Sequence, residues 1–343
     1  MPWNKSMPAH PVVAVAGATG AVGREMLAVL DQRGFPADAL RALASARSVG
    51  CVLPFRDGQL TVAEMRPDSF TDVDIALFAA GGSVSEQFWQ DVVSAGAVMI
   101  DNSSAFRMAE GVPLVVPEVN PQALRYHSGV IANPNCSTIQ MVVALAPLNA
   151  LAHIRRVVVS TYQAASGAGA GAMSELFEQS RQFLDGETLT VEHFAHPIAF
   201  NCIPQIDVFL EDGSTKEEWK MVVETKKILG DSSIEVFANC VRVPVLRSHA
   251  EMVNVQFDEP LSIDQAIAAW EAAPGVIVMD DPLAKAYPMP GLLAGTDAVY
   301  IGRIRRDPTV PYGLNFWCVA DQLRKGAALN AVQIAELLCE PPA

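Results

Sequence analysis

The stretch that decides the fold is residues 11–23, PVVAVAGATGAVG. Its first six residues form a short apolar run rich in Val, which is typical of a β-strand buried on both faces. Gly17, Gly20 and Gly23 follow where the strand should turn into a helix. Glycines at such a turn allow a pyrophosphate to approach the helix N-terminus. The spacing is GxxGxxG rather than GxGxxG, and its position favours a dinucleotide site over ordinary helix–sheet packing.

The rest of the chain predicts two domains of α/β class. Short apolar runs alternate with longer connections up to Asn135, which indicates a doubly wound, Rossmann-type sheet. From Ser137 the pattern changes to a long helix followed by a mixture of strands and helices, typical of an α+β domain. The final stretch, residues 316–338, predicts a helix with a break near Gly326. The predicted strands lie at residues 39–44, 73–80, 97–100, 129–132, 156–162, 234–243, 251–257, 276–279 and 299–304.

Length and composition exclude several classes of protein. The 343 residues exceed the length at which one core usually divides, about 250 to 300 residues. The 24 basic and 38 acidic residues give a net charge of −14, which argues against nucleic-acid and anionic-membrane partners. The N-terminal ten residues lack the apolar core of a signal peptide, and no apolar run is long enough to span a bilayer. The six cysteines include no CxxC pair, which predicts reduced thiols in a cytoplasmic protein.

The residues at the end of the second predicted strand indicate which cofactor the protein binds. An NAD site would place an acidic residue there for the ribose hydroxyl, whereas this chain has Ser45, Ala46, Arg47 and Ser48. Arg47 and the serines suit a 2′-phosphate, so the sequence favours NADP. The alternative is a solvated arginine in a turn.

Cys136 is the strongest candidate nucleophile. It lies in NPNCST, between an apolar strand and the helix predicted from Ser137, and a helix N-terminus favours a thiolate. The alternative is a buried structural cysteine, which is the interpretation adopted for Cys202, Cys240 and Cys318. His249, among the cations of RVPVLRSH, is a candidate proton-transfer partner, although a structural histidine is equally compatible with the sequence. The His193 and His196 pair predicts a loop, and the sequence predicts no metal site.

Three further charged residues are ambiguous on sequence alone. Thr215 and Glu218 form a capping box, and Glu217 and Lys220 lie three residues apart on the helix that follows. By itself this pattern predicts an exposed, salt-bridged helix. Arg107, which ends the stretch DNSSAFR, has no evident role in isolation.

Taken together, these motifs resemble the aspartate-β-semialdehyde dehydrogenase family over nearly the whole chain. The stretches that carry the resemblance are GATGAVG (17–23), SARS (45–48), DNSSAFR (101–107), VPEVN (116–120), NPNCST (133–138), YQAASGAG (162–169), EEWKMVVETKKIL (217–229) and RVPVLRSH (242–249). The resemblance implies an NADP-binding domain of residues 1–135, completed by a C-terminal helix at 323–343. Residues 136–322 would form the catalytic and dimerisation domain of a homodimer.

The resemblance also implies the chemistry. Cys136 would displace phosphate from L-aspartyl-4-phosphate to form a thioester, which NADPH reduces to aspartate 4-semialdehyde in the biosynthesis of lysine, threonine, methionine and isoleucine. His249 would be the general acid/base, and Gln163 would orient the substrate. The substrate-binding residues would be Arg107, Asn135, Glu217, Lys220 and Arg242. Those at the cofactor would be Gly17, Thr19, Gly20, Ala21, Val22, Ser45, Arg47, Ser48, Ser166, Gly167 and Gln322.

Three alternatives remain at this stage. N-acetyl-γ-glutamyl-phosphate reductase is similar in fold and cysteine chemistry, but its acylated substrate nitrogen has no charge for Glu217 to pair with. An enzyme acting on a coenzyme A thioester would have less need of Arg107 and Lys220 for free phosphate. A non-catalytic, nucleotide-binding paralogue would be expected to lack the nucleophile, which this chain retains.

Overall fold

The structure is a computed structural model and describes residues 7–340. The chain forms two compact units. Residues 7–135 and 327–340 belong to the first, and Cys136–Gly326 forms the second. Residues 1–6, which belong to the ten N-terminal residues that lack the apolar core of a signal peptide, lie outside the described part of the chain.

The first unit is built on a parallel six-stranded sheet in the order β5-β2-β1-β6-β7-β8. The strand order reverses beside β1, and in open α/β sheets ligands bind at the carboxyl ends of strands at such a point. The predicted Rossmann-type sheet is therefore confirmed. The elements are β1 (Val12–Ala16), α1 (Ala21–Gln32), β2 (Ala39–Ala44), the hairpin β3 (Val52–Phe55) and β4 (Gly58–Thr61), β5 (Ala63–Glu64), β6 (Ile75–Phe78), α2 (Gly82–Ser94), β7 (Val98–Asp101) and β8 (Val130–Ala132).

Burial explains why these segments form strands that are covered on both faces. Every residue of β6, β7 and β8 is buried, as expected for parallel strands covered on both faces. Helix α1 turns Met26, Leu27 and Leu30 toward the sheet. The helix at the end of the chain, α8 (Leu329–Cys339), contributes Val332, Ile334 and neighbouring side chains to the same apolar cluster. This part of the C-terminus thus completes the first unit.

The second unit contains a mixed six-stranded sheet in the order β10-β9-β11-β14-β13-β12. Helix α3 is buried on almost all sides, and Trp270 of α6 donates a hydrogen bond to the Ala144 carbonyl of α3 at 2.8 Å. The elements are α3 (Cys136–Asn149), β9 (Ile154–Gln163), α4 (Ala170–Asp185), α5 (Lys216–Leu229), β10 (Glu235–Arg242), β11 (His249–Phe257), α6 (Ile263–Ala272), β12 (Val276–Val278), α7 (Pro290–Leu293), β13 (Val299–Asp307) and β14 (Gly313–Ala320).

Among the predicted elements and buried cysteines, two predictions are wrong. The helix predicted from Phe316 is instead strand β14, which pairs antiparallel with β11 and β13, and a helix begins only after it. A short apolar run fits a buried strand and a buried helix equally well, and the Phe, Trp and Val of this run favour the strand. Cys202 is exposed rather than buried, whereas Cys240 and Cys318 are buried as predicted.

Candidate active site

Cys136 is the first residue of α3 and is partly exposed. The first N–H groups of a helix have no acceptor within the helix, and they carry the positive end of its dipole. The positive end of the helix dipole therefore stabilises a thiolate at this position. The structure places the candidate nucleophile where the NPNCST motif predicted it.

Three further predicted side chains meet at one edge of the second sheet. Gln163 is the last residue of β9, Arg242 the last of β10 and His249 the first of β11. Arg242 pairs with Gln163 in the parallel register. On the other side Ala250 pairs with Tyr162, so the next antiparallel step brings His249 opposite Gln163. The register of the sheet thus places Gln163, Arg242 and His249 side by side, although they are distant in sequence.

Gln163 connects the helix of the nucleophile to helix α5. Its amide Nε2 donates to Ser137 Oγ at 2.6 Å and to Glu217 Oε1 at 3.0 Å. Its Oε1 atom is buried and accepts no hydrogen bond from the described residues. That oxygen can therefore accept a hydrogen bond from a ligand. Ser137 was not among the predicted site residues, although it directly follows the cysteine in sequence.

Glu217 and Lys220 are buried, contrary to the expectation of an exposed helix. Glu217 is 5% exposed and Lys220 is 9% exposed. The capping box at Thr215 starts the helix as predicted, but the face with these two residues is turned inward. Lys220 Nζ donates to Glu217 Oε2 at 3.1 Å. Charged residues are rarely buried without a partner, and the sequence pattern did not reveal the partners that make burial possible here.

Asp207 is the partner that sequence reasoning missed. Its Oδ2 atom accepts from Lys220 Nζ at 2.7 Å, and its backbone has a left-handed φ of 70°. Burial lowers the pKa of Lys220, but the carboxylates of Glu217 and Asp207 outweigh this effect and raise it above its usual value. Lys220 therefore remains a cation. No periodic pattern marks the segment around Asp207, so the sequence carried no signal for this contact.

Arg242 adds a second buried cation. Its Nη1 donates to the Ala164 carbonyl at 2.7 Å, which fixes one end of the guanidinium. Burial lowers the pKa of Arg242, whereas Glu217 and then Cys136 act in the opposite direction. Because an arginine stays protonated in proteins, it provides a permanent positive charge that can bind a carboxylate in a bidentate manner.

His249 is completely buried, and its hydrogen bonding defines its neutral tautomer. The Ala164 N–H donates to Nδ1 at 3.0 Å, so neutral imidazole carries its proton on Nε2. Burial, and secondarily the charge of Arg242, lowers the pKa of His249 well below its usual value. Its Nε2 atom has no hydrogen-bonding partner among the described residues. Burial thus favours the neutral ring, which can donate a hydrogen bond from Nε2.

The loop after β9 lies directly against this histidine. A Cβ on Gly167 would be 2.7 Å from Arg242 Nη1 and 3.0 Å from His249 Nε2, so a side chain at this position would have to displace Arg242 or His249. Gln322 donates a short hydrogen bond to Ser166 Oγ and accepts from the Ser248 N–H at 2.9 Å. The second unit thus brings three of the predicted cofactor residues together beside His249: Ser166, Gly167 and Gln322.

In the first unit the glycine-rich turn has the tight geometry that its sequence predicted. Gly17 has a left-handed φ of 82°, and a Cβ there would lie 2.6 Å from the Ala79 carbonyl oxygen. A Cβ on Gly23 would lie 2.2 Å from the Gly17 carbonyl oxygen. Gly20 occupies the N-cap of α1, so the N–H groups of Ala21 and Val22 belong to its first turn. The turn therefore brings backbone close to the helix N-terminus, as pyrophosphate binding requires.

The turn after β2 lies beside this loop. The hydroxyls of Thr19 and Ser48 are 3.3 Å apart, and Ser45 and Arg47 are exposed. Serine hydroxyls and a guanidinium at the end of the second strand suit a ribose 2′-phosphate.

Arg107 and Asn135 are buried in the first unit. The guanidinium of Arg107 donates to the Asn133 carbonyl at 3.0 Å and to the Asn102 carbonyl at 2.9 Å. The DNSSAFR and NPNCST motifs are thus connected through this side chain.

The fold and these side chains define the class of the protein. A Rossmann-type unit with a phosphate-binding turn, together with a unit that presents a thiol at a helix N-terminus, is typical of a nicotinamide-nucleotide-dependent dehydrogenase. Within the described part of the chain, no group of three His, Cys, Asp or Glu side chains could hold a metal ion. None of the helices between residues 7 and 340 is long and apolar enough to cross a membrane.

Comparison with known proteins gives a family that agrees with this class. Residues 12–127 match the semialdehyde dehydrogenase NAD-binding domain, and residues 145–325 match the semialdehyde dehydrogenase dimerisation domain. An aspartate-semialdehyde dehydrogenase of Aquifex aeolicus is 52% identical over 95% of this chain and 97% of its own length. One from Synechocystis is 50% identical over 97% and 99%. The crystal structure of aspartate-semialdehyde dehydrogenase II from Vibrio cholerae has a TM-score of 0.93 at 47% identity, over 96% and 98% of the two chains.

The chain therefore belongs to the aspartate-semialdehyde dehydrogenase family. The resemblance drawn from the motifs is confirmed, and N-acetyl-γ-glutamyl-phosphate reductase is not favoured.

Proposed function

We propose that the protein catalyses the NADP-dependent reductive dephosphorylation of L-aspartyl-4-phosphate to L-aspartate 4-semialdehyde through a thioester on Cys136. This reaction would serve the biosynthesis of lysine, threonine, methionine and isoleucine. The proposal rests on the family and on one observation in the second unit, the buried arrangement of Glu217, Lys220 and Arg242 at the end of the sheet that bears His249.

Glu217 is the observation that supports an amino-acid substrate. Its carboxylate is held by Gln163 on one side and Lys220 on the other. A buried carboxylate fixed in this way can pair with an α-ammonium group, and Arg242 can bind the α-carboxylate as a fork. An N-acylated substrate would offer Glu217 no positive charge, and the carboxylate would repel its carbonyl oxygen.

The chain's own residues supply the groups for covalent catalysis. The Cys136 thiolate attacks the acyl phosphate carbon, the bond from that carbon to the phosphate oxygen breaks, and phosphate leaves with the bonding electrons. Lys220 and the helix terminus stabilise the negative charge that moves onto oxygen. Gln163 orients the substrate, because its Oε1 can accept a hydrogen bond from the α-ammonium group. His249, the proposed general acid/base, donates a hydrogen bond from Nε2 to the oxyanion that forms when the thioester is reduced. Arg107 and Asn135 keep their proposed substrate-binding roles on the basis of their motifs.

The residues of both units fit NADP. The absence of a Cβ at Gly17 and Gly167 leaves bare backbone in the predicted cofactor loops, and Arg47 with Ser48 matches a 2′-phosphate. The residues proposed to hold the cofactor are Gly17, Thr19, Gly20, Ala21, Val22, Ser45, Arg47, Ser48, Ser166, Gly167 and Gln322. When bound, NADPH supplies the hydride that reduces the thioester.

The decisive experiment is phosphate-dependent reduction of NADP, followed by absorbance, with aspartate semialdehyde and separately with N-acetyl-glutamate semialdehyde. We expect activity with the first substrate alone, and replacement of Cys136 by alanine should abolish it. Activity with the N-acetylated substrate alone would refute the assignment of Glu217. Absence of activity with both would refute the proposed reaction.

We also propose a homodimer formed through the second unit, in a reducing cytoplasm. The side chain of Phe237 is 62% exposed on the face of the second sheet opposite Ala238, which is buried. Tyr162 and Trp317 form an aromatic contact of 5.3 Å on this sheet. All six cysteines are free, which suits a reducing compartment. Light scattering should give a molar mass twice that of the monomer. The negative charge introduced by Phe237→Glu should lower this measured mass toward that of the monomer.

A further inference from the structure

A π-helical turn, Arg324–Ala328, separates β14 from α8. Its Gly326 N–H donates to the Asp321 carbonyl five residues earlier, at 3.3 Å. Arg324 and Lys325 of the turn are both buried. Single π turns within helices occur frequently at functional sites, because they displace the backbone from its regular path.

Gly326 packs directly against the backbone of the candidate nucleophile. A Cβ built on Gly326 would lie 2.9 Å from Cys136 Cβ, 3.2 Å from Cys136 Cα and 3.2 Å from Gln322 Cβ. Non-bonded carbon atoms are optimally separated by about 3.5 to 4.0 Å, so a methyl group has no room here. The two Cys136 atoms lie on or next to the backbone of α3, and Gln322 Cβ is next to its own backbone, so none of the three can move aside by a change of rotamer.

Space, rather than backbone conformation, requires glycine at this position. Gly326 is not among the glycines with positive φ, so an alanine could adopt its backbone angles. The turn therefore brings an unsubstituted backbone against the Cα–Cβ bond of Cys136, the bond that sets the direction of its Sγ.

We propose that Gly326 is a positioning residue that seats Cys136 for attack. This inference rests on the proposed role of Cys136 as nucleophile. An alanine would separate the π turn and the start of α3 by roughly 0.5 Å or more before normal carbon contacts are restored. A displacement of about 1 Å at reacting groups can cost roughly 100-fold in rate. We therefore expect Gly326→Ala to lower kcat by about 10- to 100-fold.

The test compares Gly326→Ala with Gly291→Ala. Gly291 also lies in a helix without positive φ, and no atom lies within 4 Å of the Cβ it would gain. For both variants, kcat, the KM of each substrate and the pH dependence of Cys136 alkylation by iodoacetamide are measured, with the alkylated peptide identified by mass spectrometry. We expect Gly326→Ala to lower kcat at nearly unchanged KM for NADP and to alter the alkylation profile, with Gly291→Ala like the parent. Parent-like kcat and alkylation in Gly326→Ala would overturn the proposal.

A second measurement separates positioning from general destabilisation and serves if Gly326→Ala folds poorly. Cys136→Gly removes the Cβ that makes the closest contact, so the loss of Tm caused by Gly326→Ala should be at least halved in that background. If Gly326→Ala lowers Tm equally in the parent protein and in Cys136→Gly, the contact between Gly326 and Cys136 is refuted. The alkylation and Tm measurements do not depend on the substrate. Inactivity of the parent protein toward aspartate semialdehyde would therefore refute the proposed function without affecting this test.

Discussion

Replacing Glu217 with glutamine tests the recognition of the substrate most directly. Glutamine preserves the volume of the side chain, and its amide oxygen can still accept the hydrogen bond from Gln163 Nε2 that is 3.0 Å long in the structure. Lys220 also keeps Asp207, at 2.7 Å, so its charge remains paired. The substitution therefore removes the negative charge that is proposed to bind the α-ammonium and leaves the surrounding packing in place.

The expected magnitude follows from a charge-assisted hydrogen bond, about 1.5 to 3 kcal/mol. At 1.4 kcal/mol for each factor of ten, kcat/KM for aspartate semialdehyde should fall roughly 10- to 150-fold. Steady-state kinetics should show this loss mainly in KM for the semialdehyde, while KM for NADP stays within about twofold. Glu211→Gln, an exposed carboxylate in the segment before α5, is the matched control and should behave like the parent. A loss of less than threefold in Glu217→Gln would refute ammonium recognition by this residue.

Three further outcomes are expected. Arg47→Ala should weaken NADPH binding about 10- to 100-fold and NADH binding little, measured by fluorescence titration, because only NADPH carries the 2′-phosphate; equal effects would exclude the assignment. Cys136→Ala should abolish turnover yet still bind NADPH with parent affinity, whereas retained turnover would contradict thioester catalysis. Burial lowers the pKa of His127 from 6.5 to about 4, so the folded state favours the neutral ring. This contribution to stability is complete above about pH 6.5 and is lost as the pH falls toward 4, by about 3 kcal/mol. As the pH falls over this range, Tm should therefore fall less steeply in His127→Gln than in the parent. If Tm depends on pH equally in the two proteins, burial of His127 is refuted as the cause.

The sequence predicted the first unit well because its signals are local. The apolar run that becomes β1 and the glycines after it specify a strand, a turn and a helix within about twenty residues. The close contact of Gly17 with the Ala79 carbonyl explains why glycine is needed there, and the spacing alone already indicated it.

The second unit was predicted less well because its signals are non-local. The burial of Lys220 depends on Asp207, which lies on a segment without periodicity and adopts a left-handed backbone. Gly326 appeared in the sequence only as a helix break, since its contact with Cys136 joins opposite ends of the unit. Strand β14 was mistaken for a helix because its pairing with β11 and β13 is invisible in a short apolar run.

The environment of Glu251 helps explain how a chain of net charge −14 can offer a site to an anionic substrate. Glu251 follows His249 by two residues on β11, so both side chains project from the same face of the strand. It is completely buried, and neither carboxyl oxygen has a hydrogen-bonding partner among the described residues. Burial raises the pKa of Glu251 well above its usual value, so the fold favours the neutral form of this group. In its neutral form, Glu251 adds no negative charge beside His249. The sign of the site is then set by Arg242, Lys220 and the N-terminus of α3 against Glu217 and Asp207, while most of the remaining acidic residues face solvent.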